Sequence, residues 1–560
     1  MAAPSGRSPG EPGAEAVPPR GRVRPSRPAA ALWSAALWSA ALLAGGAPLV
    51  GQQPELSAEA SVGSEAEEYL RVLQVAGAAP LYPWSIRGFS PREAALLLPD
   101  SAHPWAPRAA EGPARAPWVR LLRPAVDLTY NSAFPHGAND GVTWAGRGIT
   151  AAVRAGFALR AGPVSLRVEP HGFWAQNAGF ELMPTGRTGR LAFADPDAPT
   201  TLDRPQRFGD QPYARIDPGE STLRVDVVGL AAGVSTASQQ WGPSSAYPLV
   251  LGGNAGGFAH GFAGTSTPWK VGIGRVHGRV VWGSLAQSAW SPHEGHGSRR
   301  LMTGMVATFL PYGLDGLEVG ASRFFHEPWP LGGLSPRDLA KPFEAIFKAG
   351  LGSTGEGPDA RSDAGNQLAS VFARWVLPGG GVEVWGEYLR EDHSWDLLDF
   401  VLEPDHSAGY ALGGRKAWRR GESLLSLRAE WLNTQPGHLR SVRTQGPAYV
   451  HFAQLQGHTH RGQFLGSPAA YGGGGATLAL EGYTPRGRWK VDLGRERVRG
   501  GRPGPQAAEV DVLNCAGAEL LLFRRRFDTL ARVRGTWELN RHLGGDAFNL
   551  SASLGVRLGL

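Results

Sequence analysis

Apolar and polar residues trade places one by one through most of this chain. In DAFNLSASLGVRLGL, Phe548, Leu550, Ala552, Leu554, Val556, Leu558 and Leu560 share one face, while Asn549, Ser551, Ser553, Gly555, Arg557 and Gly559 share the other. Period-2 alternation of this kind makes a strand with one dry and one wet face. The same pattern sets Ala151, Val153, Ala155, Phe157 and Leu159 against Arg154 and Arg160, and Leu425, Leu427, Ala429 and Trp431 against Ser426, Arg428 and Glu430. Either a protein core or lipid must cover the dry faces.

The links between strands favour lipid. Tight turns recur at RAGPVS, VHGRV, PYGLDG, LPGGGVE, RRGE, YTPRG and RRRFD. Longer links cover 173–221, 240–269, 289–299, 326–366, 392–407, 434–474 and 496–506. A soluble sandwich has no reason to alternate short and long links. An outer-membrane barrel does, because its periplasmic turns are short and its outer loops are long. Parsed this way, the fold is all-β: a transmembrane antiparallel β-barrel of about 18 strands from near Val126 to Leu560, with both ends on the periplasmic side. Arg532, Arg534, Glu538 and Arg557 then point into the lumen. The alternative, a secreted sandwich or propeller, leaves the loop asymmetry unexplained.

The first 120 residues break the alternation. Arg20, Arg22, Arg24 and Arg27 precede AAALWSAALWSAALLAGGAPLVGQQ, a basic segment, an apolar stretch and small residues. This is the layout of a secretory signal peptide, expected over 1–51 and cleaved on export. Residues 52–120 read as a helical periplasmic or plug segment. Ser64 with Glu67, ahead of Tyr69, Leu70, Leu73 and Ala76 on one face, predicts one capped amphipathic helix, and Ser90, Pro91 and Glu93 predict a second. Such short helices need a partner surface. The barrel takes 121–560, and a loop helix is expected in SPRDLAKPFEAIFKAG, started by Ser335 and Pro336 and interrupted by Pro342.

Composition agrees. The 78 Gly, 45 Pro and 19 Trp among 560 residues suit strands joined by turns. Cys515 is the only cysteine, which rules out an intramolecular disulfide or a cysteine metal site. The formal net charge is +7, and removing residues 1–51 takes away five Arg and two Glu and leaves +4, too mild for a nucleic-acid partner. After the signal there is no apolar run long enough for a membrane-spanning helix.

Three separated stretches carry a family resemblance: YLRVLQVAGAAPLYPWSIRGFSPREAALLL near the start, WGPSSAYPLVLGGNAGGFAHGFAGTSTPWKVGIGRVHGRVVWGSLAQS over 241–288, and YVHFAQLQGHTHRGQFLGSPAAYGGGG over 449–475. Together they resemble the capsule assembly protein Wzi family. The resemblance implies an 18-stranded outer-membrane barrel whose lumen is closed by helical segments, from the N-terminus and from a loop. It further implies a lectin-like surface protein that binds capsular polysaccharide and helps organise the capsule. A porin-like channel for small polar solutes is the alternative, and the two differ in whether the lumen is open. The expected partners are surface polysaccharide and outer-membrane lipids, with a monomeric barrel and no cofactor.

Candidate sugar-binding residues lie in the two long motifs. Trp241, Asn254 and His260 suit a glycan, the indole stacking on sugar C–H faces and the amide and imidazole bonding hydroxyls. Structural readings compete, since Trp also forms interface belts and Gly-rich loops with Asn are often turns. His458, His460 and Arg461 in HTHR offer further polar contacts, against a plain plug-loop reading. The H-x-H spacing lacks a third ligand for a metal. Glu391, Asp392, Asp396 and Asp399 are the one group of carboxylates that suggests glycan hydrolysis, but sequence fixes no separation between them. Beyond the expected signal segment no G-x-S-x-G motif is present, so no enzyme is expected.

Overall fold

In the computed structural model, the barrel walls separate their two faces as the alternation requires. The structure describes residues 60–98, 103–106, 118–293, 298–343, 366–391, 404–436, 446–451, 454–498, 511–542 and 544–559. All belong to one unit, Gln53–Leu560. The expected signal over 1–51 lies outside the described residues.

Twenty-one ladder segments close into one antiparallel barrel, and three walls are made of two segments each, giving 18 strands among the described residues. The divided walls are Val164–Val168 with His171–Ala175, Tyr213–Asp217 with Thr222–Val227, and His260–Thr265 with Trp269–Val271. Pro170, Pro218 and Pro268 fall in the three interruptions. Proline has no N–H to give a ladder, so each break sits where a hydrogen bond would be missing anyway. The seam joins Trp118–Asn131 to Gly545–Leu558, with Val126 opposite Val556 and Leu128 opposite Leu554. The barrel therefore begins eight residues before Val126.

Along 545–558 the outward Phe548, Leu550, Leu554 and Leu558 are exposed, whereas the inward Asn549 is fully buried. Leu128, Leu412, Leu478 and Val533 continue the exposed apolar band on other walls. An outward apolar band of this kind is the pattern of a transmembrane barrel. Inside, Arg532 and Arg557 both reach Glu65 of the N-terminal segment, as their inward register predicts.

On one side the hairpins are tight, as at Gly162–Pro163, Gly421–Glu422 and Pro485–Arg486. The other side carries the links 132–147, 176–212, 236–259, 287–298, 329–365, 392–407, 434–473 and 499–510. The rule has one exception there, the three-residue link 542–544. Two turns differ from expectation. VHGRV lies inside the strand Gly274–Ala286, and the hairpin falls earlier, at Gly272–Ile273. A further hairpin turns at Val228–Gly229, with φ of 52° and 80°. Both angles suit a mirror-image hairpin turn, which a β-branched residue rarely enters, so Val228 masks the turn.

The two N-terminal helices form where expected. α1 is Glu65–Val75, and the Ser64 hydroxyl accepts from the Glu67 amide at 3.2 Å. α2 is Pro91–Leu96, with a full capping box between Ser90 and Glu93. Both sit in the mouth on the short-turn side. Tyr69, Leu70 and Leu73 pack with Val376, Ala417, Leu424 and Tyr483 of the wall. α1 is buried nearly all round, including Glu65, Glu67, Arg71 and Gln74, because its polar face meets the charged lumen instead of water. The loop helix does not join them. α3, Pro336–Ala340, lies on the outer side of the wall: the outward Trp282 donates its Nε1–H to Leu339 O at 3.0 Å, and the outward Arg323 donates to Pro342 O. Its exposed Leu339 and Phe343 show a segment with no inner face to bury. Two infolded links take its place in the lumen.

Candidate functional site

Those links, 236–259 and 446–473, fill the middle of the barrel. Tyr247, Leu249, Val250, Tyr449, Phe464 and Leu465 pack with the inward Val281, Met302, Phe324 and Leu368. Four inward wall carboxylates fix the filling in place. Glu318 accepts from the Trp84 and Ser85 amides at 2.8 and 2.9 Å. Glu383 binds Arg71 of α1 at 3.0 Å and is flanked by Arg374 and Arg415 of the wall. Glu430 accepts from Ser244 Oγ at 2.5 Å and from the Ser245 and Ala246 amides at 3.0 Å each. Glu391 accepts from the Tyr449 amide at 2.7 Å. Each is a charge-assisted bond in a dry setting, the strong kind. Sequence reading passed over Glu318 and Glu383, placed Glu430 only on a polar strand face and weighed Glu391 only for hydrolysis, because each looks like any polar-face residue of a strand.

The residues expected to touch sugar lie within this body. Trp241 is fully buried, donates to Gln239 Oε1 at 3.3 Å and pairs with Ile86 in a two-residue ladder. Gly304 makes room for it: a Cβ there would come within 2.8 Å of the indole. Asn254 donates to Phe464 O at 2.9 Å and accepts from the Asn139 amide at 3.3 Å. His458 donates from Nε2 to Val250 O at 2.6 Å, and burial pushes its pKa down to about 3. His460 accepts from the Ala286 amide at 3.1 Å. His260, on a wall, bonds Phe258 O at 2.7 Å and Gln239 Nε2 at 2.6 Å. Arg461 is half-buried and paired with Asp217. The structure thus interlocks the two motifs, through Asn254 with Phe464 and His458 with Val250. It brings no candidate to the surface of the long links.

Among the carboxylates considered for hydrolysis, Glu391 is a buried clamp, and Asp392, Asp396 and Asp399 lie outside the described residues. Among the described residues no group of three or more His, Cys, Asp or Glu is arranged to hold a metal.

An aromatic cluster that sequence reading missed stands at the long-link end. Phe208 stacks on Tyr213 with centroids 4.5 Å apart, and Trp290 meets both edge-on at 5.5 Å. Trp144 adds an edge contact to Phe208 at 5.0 Å. Phe208 is buried, while Trp144, Tyr213 and Trp290 are half-buried. Gly209, at φ 75°, lies against the Trp290 indole, and a Cβ there would come within 3.0 Å of Nε1. Exposed Arg190 donates to Ala289 O beside Trp290, and exposed Asp210 and Gln211 follow Gly209 in the chain. Rigid half-exposed rings beside hydrogen-bonding groups can stack on a sugar and bond its hydroxyls. No local motif announces them, since Trp144, Phe208 and Trp290 come from three separate links and Tyr213 from the start of a wall strand.

A closed antiparallel wall with an apolar outer band and a lumen filled by its own chain defines a plugged transmembrane β-barrel. Among solved structures it is similar to Wzi of Escherichia coli, described as an outer-membrane protein involved in group 1 capsule assembly and a carbohydrate-binding β-barrel. That match has 15% identity and a TM-score of 0.60 over 89% of this chain and 99% of the other. A BenF-like porin of Pseudomonas fluorescens matches at 8% identity and a TM-score of 0.39, over 79% and 99%. OccAB3 of Acinetobacter baumannii matches at 8% and 0.38, over 79% and 98%. No curated protein matches the chain. The family model for capsule assembly protein Wzi matches residues 136–501. The chain belongs to the capsule assembly protein Wzi family.

Proposed function

We propose that this protein is an outer-membrane surface protein that binds and organises capsular or other extracellular polysaccharide through its long-link face, without catalysing a reaction. The observation that carries this reading is the filled lumen. α1 and α2 occupy one mouth and two infolded links the middle, which leaves the outer face as the place to meet a partner. Family membership supports it, as does the carbohydrate binding described for Wzi of Escherichia coli. Sugar contact falls to Trp290, Tyr213 and Trp144, with Arg190 beside Trp290. Trp241, Asn254, His260, His458, His460 and Arg461 act one layer below, as the frame that holds the outer links. Many weak contacts along a polymer add up by avidity. The protein reaches the outer membrane by a cleaved signal peptide over 1–51 and works there as a monomer surrounded by lipid.

The test is retention of capsular polysaccharide by the purified protein in nonionic detergent, with single-channel conductance measured on the same sample. Polysaccharide binding with a silent channel is expected. Steady conductance without polysaccharide binding overturns the reading in favour of the porin alternative.

A further inference from the structure

Among the described residues, eight hairpins turn on the short-turn side, and they share charge unevenly. The turns at 162–163, 228–229, 272–273, 312–316 and 378–381 carry a single ionic side chain between them, Asp315. The three that follow are basic. Arg420 closes a strand ahead of Gly421–Glu422, Arg486 lies in the next turn, and Arg524, Arg525 and Arg526 make up the third.

These turns are neighbours around the wall. Arg420 stands opposite Ser423, and Leu424 of that hairpin pairs with Tyr483, three residues before Arg486. The Arg486 carbonyl accepts from the Phe523 amide at 2.9 Å, which sets Arg486 beside Arg524. All five arginines are exposed, and none has a side-chain hydrogen bond or ion pair among the described residues. Glu422 is the one carboxylate side chain on the three turns. The acids nearest in the chain, Glu519 and Asp528, are turned inward and already taken: Glu519 by Arg488 at 2.6 Å and Lys490 at 3.0 Å, Asp528 by Arg123 at 2.6 Å. Five cations thus crowd one sector of the rim, repelling one another with no answering charge in the fold.

Outward rings fix the depth of this patch. Trp418 comes two residues before Arg420, Trp489 three after Arg486, and Phe527 directly after Arg526. They lie on the same strand faces as the exposed Leu412, Val491 and Val533. Such rings girdle a barrel where acyl chains give way to headgroups. The arginines stand one to three residues beyond, at about 3.3 Å a residue, which is the level of lipid phosphates. Lys416, outward and two residues deeper than Trp418, bends to the Gly380 carbonyl at the rim, as a cation does when the polar boundary lies on that side.

We propose that this basic sector binds the headgroups of anionic phospholipid in the leaflet on the short-turn side. Guanidinium forks match phosphate oxygens in charge and in geometry, while Trp418, Trp489 and Phe527 rest at the acyl boundary above them. An acidic protein would answer the charge but not the rings turned outward beside it. The inference rests on the transmembrane reading of the barrel and is independent of polysaccharide binding at the opposite face. It gives the barrel a preferred lipid on one part of its circumference.

The experiment incubates the full-length protein in nonionic detergent with equal amounts of phosphatidylglycerol and phosphatidylcholine. The lipid that stays with the protein through gel filtration is measured by mass spectrometry. Phosphatidylglycerol is expected to be retained at least about fivefold over phosphatidylcholine, with the preference falling as salt is added. Arg486→Gln, Arg524→Gln, Arg525→Gln and Arg526→Gln combined should bring the two lipids to about equal retention. The same four positions changed to Lys should keep most of the preference, because the charge is kept. Heat-modifiable migration on a gel identifies the folded barrel before each comparison. Equal retention by the wild type overturns the proposal, and so does an undiminished preference in the folded Gln variant or its loss in the folded Lys variant. Equal retention, together with binding of polyglutamate that the Gln variant loses, would assign the patch to an acidic protein instead. If neither lipid is retained and the protein stays soluble once detergent is removed, the transmembrane reading itself fails and takes the proposal with it.

Discussion

Arg71 of α1 and Glu383 of the wall strand Val382–Glu391 are both fully buried and meet at 3.0 Å. They lie 312 residues apart in the chain. The same carboxylate also faces Arg374 and Arg415, so one negative charge holds three cations together at the base of the plug. Glu383→Gln leaves Arg71 without its acid in a dry site, while Arg374 and Arg415 keep Glu318 and Glu68; breaking a buried pair in this way costs about 3–5 kcal/mol. Undocking of α1 is the expected result. It is read as conductance in a planar bilayer and as faster hydrogen exchange over 65–75, and a silent, fully protected variant would show that the cluster is not what holds the plug.

The Glu430 clamp makes a second, local prediction. Glu430→Ala removes the acceptor for three donors of 244–246, each worth roughly 1–3 kcal/mol when left unsatisfied. The infolded link should become open to protease near 241–258 while the barrel keeps its heat-modifiable migration on a gel. An uncut link in a folded variant would contradict the clamp.

On the outer face, Trp290→Ala should weaken polysaccharide retention about tenfold, equivalent to ~1.4 kcal/mol. Trp290→Phe should keep most of it, because the ring rather than the indole N–H does the stacking. Thermal stability should change little, since Trp290 is half-buried in a link. Equal retention by wild type and Trp290→Ala would move the glycan site elsewhere on this face.

Acid should loosen the plug through His103. The neutral Nδ1 takes a hydrogen bond from the Tyr69 hydroxyl at 2.8 Å, and burial, with Arg419 adding repulsion, pushes its pKa down to about 4. The folded state binds this proton more weakly than the unfolded chain. Its stabilising contribution is therefore complete above pH 6.5 and is lost as pH falls through about 4. Glu67, whose pKa burial raises to about 7, acts in the opposite sense between 4.5 and 7, so the experiment belongs in a Glu67→Gln background. Protection factors of 65–75 should drop between pH 6.5 and 4, and His103→Gln should flatten the drop.

The lipid face is tested by Ala552→Arg, an exposed outward position near the middle of its strand. A cation there should cost about 2–4 kcal/mol, measured as a lower denaturant midpoint in phospholipid vesicles. A variant as stable as wild type would mean that this face does not meet lipid.

Much of this fold could be read from the chain because its signals are local. Alternation marked the walls, and Ser64 and Ser90 announced α1 and α2 with a cap and an acid three residues on. The Val228–Gly229 hairpin stayed hidden because valine is the wrong residue for a positive φ. The site was less legible, for a different reason. Trp241, His458 and His460 carry the recognisable wording, yet they are spent on Gln239, Val250 and the Ala286 amide. Trp144, Phe208 and Trp290 make their cluster with Tyr213 only when three distant links meet. Glu383 and Glu430 look like any polar-face acid until partners 312 and 186 residues away are in place.

The seam between 118–131 and 545–558 has a consequence for how the molecule comes into being. The first wall to be made waits for the last, and until then both present bare strand edges to anything nearby. Glu65 waits as well, because Arg532 and Arg557 belong to the final two walls. The plug is thus synthesised first and secured last. A chain interrupted before Gly545 would carry a complete set of plug residues and most of a wall, yet would have neither a closed ring nor a locked mouth, and its exposed edges would mark it for the envelope's proteases.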